Sequence, residues 1–255
     1  DTKVPDVIHS FYDDPITSLY SDQDEGLIMG SYKGKLINYL EKNINTICSI
    51  HKIDYVKVPQ NIHGKIPNPS ECFGQTLNWI VREYAAKNDY EIIALMHSDI
   101  LPICEVSIEN ILGDNIAAST VEFRIIDDKG ITYFYPALTV INMKLLKNPN
   151  ELDFGLEPGL DVGGKTQYFI KNNADKVKFI ANYQAEYMAA ILEGKPISEY
   201  FKEDRKITRA CGLSSGWVCE GLYHFCCGSQ WNLGDDPRFA KGHQDRMALF
   251  LKYFY

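Results

Sequence analysis

Residues 90–103 read YEIIALMHSDILPI, and their pattern sets the fold class. Ile92, Ile93, Ala94, Leu95 and Met96 make a near-continuous apolar run of strand length, the mark of a strand covered on both faces in a parallel or mixed sheet. His97, Ser98 and Asp99 stand at its carboxyl end. Ligands bind at that end of open α/β sheets, because the strand tips and the loops after them form a crevice lined by polar groups. Ile100, Leu101 and Pro102 carry the chain on through a second apolar segment that holds the Asp99 backbone. A purely structural reading, in which a polar strand end caps the next turn, uses the same residues.

On the amino-terminal side, Val4 to Phe11 is a short apolar segment closed by Asp13-Asp14-Pro15, a first strand and its exit turn. Leu36, Ile37, Leu40, Ile44 and Ile47 recur at helical spacing and predict an amphipathic helix within 28–50. Asp54 to Pro59 alternates as a second strand, and Phe73, Leu77, Ile80, Val81 and Tyr84 mark a helix over 73–86, with Ser70 and Glu71 near its start. Alternating strands and helices imply right-handed crossovers and a mostly parallel sheet. The expected fold is therefore α/β: a single Rossmann-like domain over 1–255, with a central, mostly parallel mixed sheet flanked by helices. Its halves would meet near residue 105.

On the carboxyl side, two β-rich runs, Val121 to Ile126 and Ile131 to Ile141, flank Asp127-Asp128-Lys129-Gly130 and predict a small β-hairpin subregion. The segment 148–164, NPNELDFGLEPGLDVGG, holds four glycines and two prolines and reads as an ordered, turn-rich loop. A helix is expected from Thr166 to Asn172, a strand from Val177 to Asn182, a lid or linker from Tyr183 to Glu203, and a closing helix from Phe239 to Tyr255.

Composition narrows the function. Over 255 residues, hydrophobic side chains make up 45% and charged ones 24%, which is ordinary for a globular protein with a substantial core. A formal net charge of −8 argues against general binding to nucleic acid or an anionic membrane, since both need a basic surface. An anionic ligand would require a local cation. Seven cysteines scattered from Cys48 to Cys227 do not form a disulfide framework in a chain this long, so a reducing compartment is expected. With no apolar run of 18 residues and no basic start leading into an apolar core, the expectation is a cytoplasmic protein or one at the cytosolic face of a membrane. Oligomeric state is open.

His97-Ser98-Asp99 at the end of its apolar strand resembles the Asp-x-Asp segment of nucleotide-sugar glycosyltransferases of the GT-A fold, of the family-2 kind. The second acid is present and the first is histidine. A further resemblance lies in Leu160-Asp161-Val162-Gly163-Gly164, which follows a strand pair ending in Leu138 to Asn142, LTVIN, as an Asp-x-Gly-Gly segment does in that family. The third element is a late histidine, His224 in Leu222-Tyr223-His224-Phe225, with His243 competing for the same role. The resemblance implies transfer of a sugar from a nucleotide diphosphate donor to a hydroxyl acceptor on a glycan or glycoconjugate. It further implies that Asp99, His97 and His224 hold Mn²⁺ or Mg²⁺, and that His9, Ser10, Phe11, Ser98, Gly163 and Gly164 line the donor. Asp161 would be the base or would orient the sugar, and Glu157 and Asp153 on the same loop are weaker candidates. Imidazole suits a transition metal better than Mg²⁺.

Other readings use the same residues. Asp161 can simply cap the helix near Lys165. Cys211, Cys219, His224, Cys226 and Cys227 bear the ligand types of a zinc site, but lack a C-x₂₋₄-C knuckle. A binding module on the same fold, without catalysis, would use aromatics such as Trp79, Tyr133, Tyr135, Trp217 and Trp231 to hold a nucleotide or glycan. A nucleotidyltransferase would need a Gly-rich basic phosphate loop after the first strand, and none is present. Signatures of dinucleotide oxidoreductases, P-loop enzymes, α/β hydrolases and zincins are also missing.

Overall fold

The computed structural model describes residues 68–97, 99–214, 216–226 and 237–254, together with Thr46, Ser49, Ile50, Val56, Val58, Pro59 and Ile62. The expected first strand, the donor-lining His9, Ser10 and Phe11, most of the helix within 28–50, and Ser98 lie outside the described residues. Val56, Val58 and Pro59, which fall in the expected second strand, are not in a strand. The chain divides into two compact units, Asp1–Thr76 and Leu77–Tyr255. The second carries the site.

Helix α1 spans Pro69–Trp79, and the Asn68 carboxamide accepts from the amides of Ser70 and Glu71 at its start. A π-helical turn, Ile80–Ala85, continues it and buries Ile80, Val81 and Ala85. Strand β1, Ile92–Met96, then follows as the apolar run predicts. It is less covered than expected, for Met96 is 49% exposed.

Two four-stranded sheets make the framework. The first contains β1, β3 (Ala117–Ile126), β4 (Lys129–Asn142) and β5 (Val177–Ile180) in the order β1-β4-β3-β5. The second contains β2 (Ile100–Pro102), β6 (Tyr183–Gln184), β7 (Trp217–Cys219) and β8 (Leu222–His224) in the order β2-β8-β7-β6. The architecture is mixed α/β, but among the described strands only β3 and β5 pair in parallel; the other pairings are antiparallel. This corrects the expectation of a mostly parallel sheet for the described part: β3–β4 and β7–β8 are hairpins, β6 and β7 pair antiparallel across an intervening helical stretch, and the parallel β3–β5 pair is reached by a crossover. The expected hairpin is no small subregion either. It supplies both central strands, β3 and β4, turning at Asp127 and Asp128, each at positive φ, as a two-residue turn matched to strand twist requires.

Helices α2 (Ile108–Leu112), α3 (Thr166–Asn172), α4 (Ala185–Ile191), α5 (Pro196–Cys211) and α6 (Pro237–Phe254) complete the described elements. The stretch from Tyr183 to Glu203 is thus strand and helix, not a lid or linker. α3 spans the expected residues. Alternation along the short strands divides the interior into two layers. Leu222 and Cys219 join Ala118, Leu138, Val140 and Ile180 of the first sheet in one core. Their strand neighbours Tyr223 and Val218 point the other way, into a second core with Tyr200, Phe201 and Phe250 of α5 and α6. Each such buried side chain contributes about 1.5–3 kcal/mol relative to exposure. The second sheet is therefore covered by the first on one side and by helices on the other, and any residue two positions from Leu222 faces the first sheet.

Candidate metal centre

His224 is that residue. It closes β8 on the face of Leu222 and is buried, with 2% of its surface exposed. On the opposite side of the interface the chain leaves β1 at His97 and enters β2 at Ile100, so it crosses from one sheet to the other within His97-Ser98-Asp99. The crossing is pinned by backbone hydrogen bonds. The His97 amide donates to the Ala137 carbonyl at 2.9 Å, and the Phe225 amide donates to the Asp99 carbonyl at 2.9 Å.

As a result His224 Nε2 lies 3.1 Å from Asp99 Oδ1, and His97 Nδ1 lies 3.9 Å from the same oxygen. One ligand atom from each of the three side chains falls within 4.8 Å of the others, the only such group among the described residues. The Asp99 side chain is 8% exposed and that of His97 23%, so the group is sheltered yet reachable from the His97 side. Burial pushes the His97 imidazole down to about 4, against the pull of Asp99 and with the help of His224. It is therefore neutral near pH 7, with a lone pair to offer. Burial pushes the Asp99 carboxyl up, but the His224 and His97 imidazoles outweigh it and hold the group below its usual range. A neutral imidazole and an ionised carboxylate are the forms that ligate metal.

Aromatic rings wall the group. Trp217 packs on His224 with centroids 4.5 Å apart, and Tyr135 meets His97 edge-on at 5.7 Å and Trp217 at 6.4 Å. Tyr135 reaches this position through a bulge. Ser119 pairs with Thr139 and Val121 with Phe134, so Tyr135, Pro136, Ala137 and Leu138 all oppose Thr120. Proline fits there because it has no amide proton to give to a ladder. The buried Thr120 hydroxyl donates to the Tyr135 carbonyl at 2.6 Å and fixes the irregularity.

The Asp-x-Gly-Gly segment sits elsewhere on β4. Gly163 has φ +88°, and a Cβ there would stand 2.1 Å from the Phe134 carbonyl oxygen, so only glycine fits. The Thr166 hydroxyl donates to the Gly163 carbonyl at 2.6 Å and accepts from the Phe134 amide at 2.8 Å. Both glycines are buried, Gly163 against β4 and Gly164 against Leu160, Asp161 and Glu157 of its own loop. Asp161 is half-buried beside Arg124 and Tyr133, and its carboxylate accepts from the Val162 amide at 2.7 Å. It does not cap α3, whose N-cap position is Lys165. Glu157 accepts from the Tyr168 hydroxyl at 3.1 Å. Asp153 accepts from Asn78 Nδ2 and the Gly155 amide, each at 2.8 Å, and pairs with Arg82. No hydrogen bond or ion pair among the described residues joins Asp161, Glu157 or Asp153 to His97, Asp99 or His224.

The remaining candidates resolve by position. His243 on α6 is half-buried; burial and then Arg246 lower its pKa while Asp99 raises it, so it stands within electrostatic reach of Asp99 but outside the three-residue group. Cys219 is buried, and burial pushes its thiol up to about 12; it lies outside the three-residue group. Cys226 Sγ lies 3.4 Å from Nδ1 of His224, on the ring edge away from Asp99. Tyr133 is fully buried with its hydroxyl donating to Glu122 at 2.6 Å, so of the expected aromatic binders among the described residues the site gathers Tyr135 and Trp217; Trp231, like Cys227, lies outside the described residues.

Charge reasoning from sequence missed one buried network. Arg246 on α6 is fully buried; its Nε donates to Asp204 of α5 at 2.8 Å and its Nη1 to the Phe225 carbonyl at 2.7 Å. Phe225 is the residue whose amide holds Asp99. Comparison of the chain with protein-family models, with curated proteins and with solved structures finds no match in any of the three.

Proposed function

We propose that the chain is a metal-assisted glycosyltransferase of the GT-A type, moving a sugar from a nucleotide diphosphate donor to a hydroxyl acceptor. One observation carries this reading: the carboxyl end of β1 delivers His97 and Asp99 to a point where a buried His224 meets them from a second sheet. The donor set of two imidazoles and one carboxylate fits a divalent ion. A cation held by these residues supplies positive charge against the donor diphosphate and its departing charge.

The chain's own residues do the rest. Asp99, ionised and held by Phe225, fixes where charge is placed; Tyr135 and Trp217 exclude water from one side of it. Asp161 accepts the proton of the acceptor hydroxyl if the enzyme inverts, or orients the donor sugar if it retains. The site's aromatic walls also favour a second reading, a nucleotide- or glycan-binding module without catalysis. A donor-hydrolysis assay separates the two, because a transferase leaks slow hydrolysis and a binder gives none above background.

Thermal-shift measurements with UDP, GDP, CDP and their sugars, each with Mn²⁺, Mg²⁺ or EDTA, test the proposal, since a ligand that binds only the folded state raises Tm. One nucleotide should raise Tm in a metal-dependent way, and Asp99→Asn should abolish that rise while leaving the ligand-free Tm near wild type. A rise unchanged in Asp99→Asn would refute the role given to this site.

A further inference from the structure

We infer that the His97–Asp99–His224 group selects a nitrogen-seeking transition ion, Zn²⁺ or Co²⁺ ahead of Mn²⁺, and discriminates against Mg²⁺. The inference rests on the reading of this group as a metal centre, but it concerns the ion and not the reaction.

Geometry is the first ground. Two ligands each about 2.1 Å from one ion, at angles between tetrahedral and square, stand about 3.0–3.4 Å apart. His224 Nε2 and Asp99 Oδ1 are 3.1 Å apart, within that span, while His97 Nδ1 stands 3.9 Å from the same oxygen and must move inward to share an ion with them. Donor chemistry is the second. Mg²⁺ demands oxygen ligands in a near-ideal octahedron and retains several waters. Here two of three donors are imidazole nitrogens, and the Asp99 and His224 side chains are 8% and 3% exposed, which leaves little room for a water-rich shell on their side. Affinity at nitrogen-bearing sites rises along the series from Mn²⁺ to Co²⁺ and beyond. Three protein ligands with an open side is also the arrangement of catalytic, not structural, zinc.

Orientation of the ligands is the third ground. His224 presents Nε2 to Asp99 while its other nitrogen faces Cys226 Sγ at 3.4 Å and its ring lies against Trp217; the tautomer that gives its Nδ1 proton to the sulfur leaves the Nε2 lone pair for an ion. Such outer contacts set the ring angle of a metal-binding histidine. Cys226 is held in that place by a backbone at φ +44°, a conformation that residues with a side chain rarely adopt. On the nitrogen away from Asp99, it serves as the orienting partner and not as a fourth ligand.

The test uses the full chain, stripped with chelator, titrated separately with Co²⁺, Zn²⁺, Mn²⁺ and Mg²⁺ by calorimetry, with the visible absorbance of bound Co²⁺ as a second readout. One Co²⁺ per chain should bind at least tenfold more tightly than Mn²⁺, with no Mg²⁺ binding at millimolar concentration. Asp99→Asn and His224→Gln should each weaken Co²⁺ by tenfold or more and erase the absorbance, whereas Cys104→Ser, at an exposed thiol, should change neither. Because His224 is buried and its variant can misfold, His97→Asp provides a second route: its side chain is the more exposed, and the change should weaken Co²⁺ while bringing Mg²⁺ into measurable range. Equal affinity for Mg²⁺ and Co²⁺, or Co²⁺ binding indifferent to Asp99 and His97, would overturn the inference. Selective Co²⁺ binding without any nucleotide effect would leave it standing and remove the transferase. A nucleotide-dependent rise in Tm that Mg²⁺ supports as well as Co²⁺ would do the reverse.

Discussion

Replacing Arg246 with methionine tests whether the helical layer holds the site in place. The guanidinium is fully buried, and Asp204, its partner, is 1% exposed. Nε reaches Asp204 Oδ1 at 2.8 Å, Nη2 reaches the Tyr223 hydroxyl at 3.2 Å, Nη1 reaches the Phe225 carbonyl at 2.7 Å, and the cation lies 5.1 Å from the Phe225 ring. Methionine fills much of the volume but gives back none of these donors. Asp204 is left as a buried charge with only the Tyr223 hydroxyl to hydrogen-bond it among the described contacts. Breaking a buried pair from one side costs about 3–5 kcal/mol, and at about 2–4 °C per kcal/mol for a chain of this size Tm should fall by roughly 6–20 °C.

The companion change Asp204→Asn removes the charge that Arg246→Met strands. If the two side chains form one coupled unit, the double variant should be more stable than the sum of the singles by roughly 1–3 kcal/mol, within the range seen for residues in one network. Urea unfolding followed by circular dichroism on all four proteins closes the cycle. Additivity within about 0.5 kcal/mol would refute the coupling, since that is the behaviour of independent sites. It would also remove the argument that α6 positions Asp99 through Phe225.

Two further perturbations probe other parts of the framework. Gly163→Ala should destabilise the protein by about 2 kcal/mol or more, because alanine at φ +88° is strained and its Cβ would overlap the Phe134 carbonyl; an unchanged urea midpoint would show that this loop is not bound to β4 as described. For Asp153, burial pushes the carboxyl up, but the Gly155 amide, Asn78, Arg82 and Lys165 outweigh it and hold it below its usual range. A depressed folded pKa adds stability that is complete above the unfolded value of about 3.9 and is lost as pH falls through the lower folded value. Wild type should therefore be more stable than Asp153→Asn at pH 6, with the gap narrowing below about pH 4. A gap that widens on acidification would contradict the sign.

Much of the site could be read from sequence because its signals are local. Five apolar residues followed by His97-Ser98-Asp99 announce a strand tip whatever packs around it. His224 was one of two late histidines, and the choice between it and His243 falls to strand alternation, which places it with Leu222 and away from Tyr223. The second sheet was hidden because its strands are two or three residues long, too short to show a period of two. α5 was hidden for another reason. Its buried residues are Ser198, Tyr200, Phe201, Asp204 and Thr208, and three of the five are polar, so the hydrophobic pattern is weak. Arg246 escapes on the same account, since a lone arginine in an amphipathic helix reads as a solvated residue until its partners are known.

The histidine at position 97 follows from where the chain crosses between sheets. His97 and Asp99 flank that crossing, half enclosed by Tyr135, Trp217 and His224. Two carboxylates placed this close repel each other, which raises the pKa of one of them. The His97 imidazole, held neutral near pH 7 by burial, carries no such penalty beside Asp99. That exchange has a chemical consequence. It gives up one hard oxygen donor, which weakens the hold on Mg²⁺, and it gains a nitrogen beside a second nitrogen from β8. If the group is the metal centre proposed above, histidine at position 97 favours softer ions over Mg²⁺.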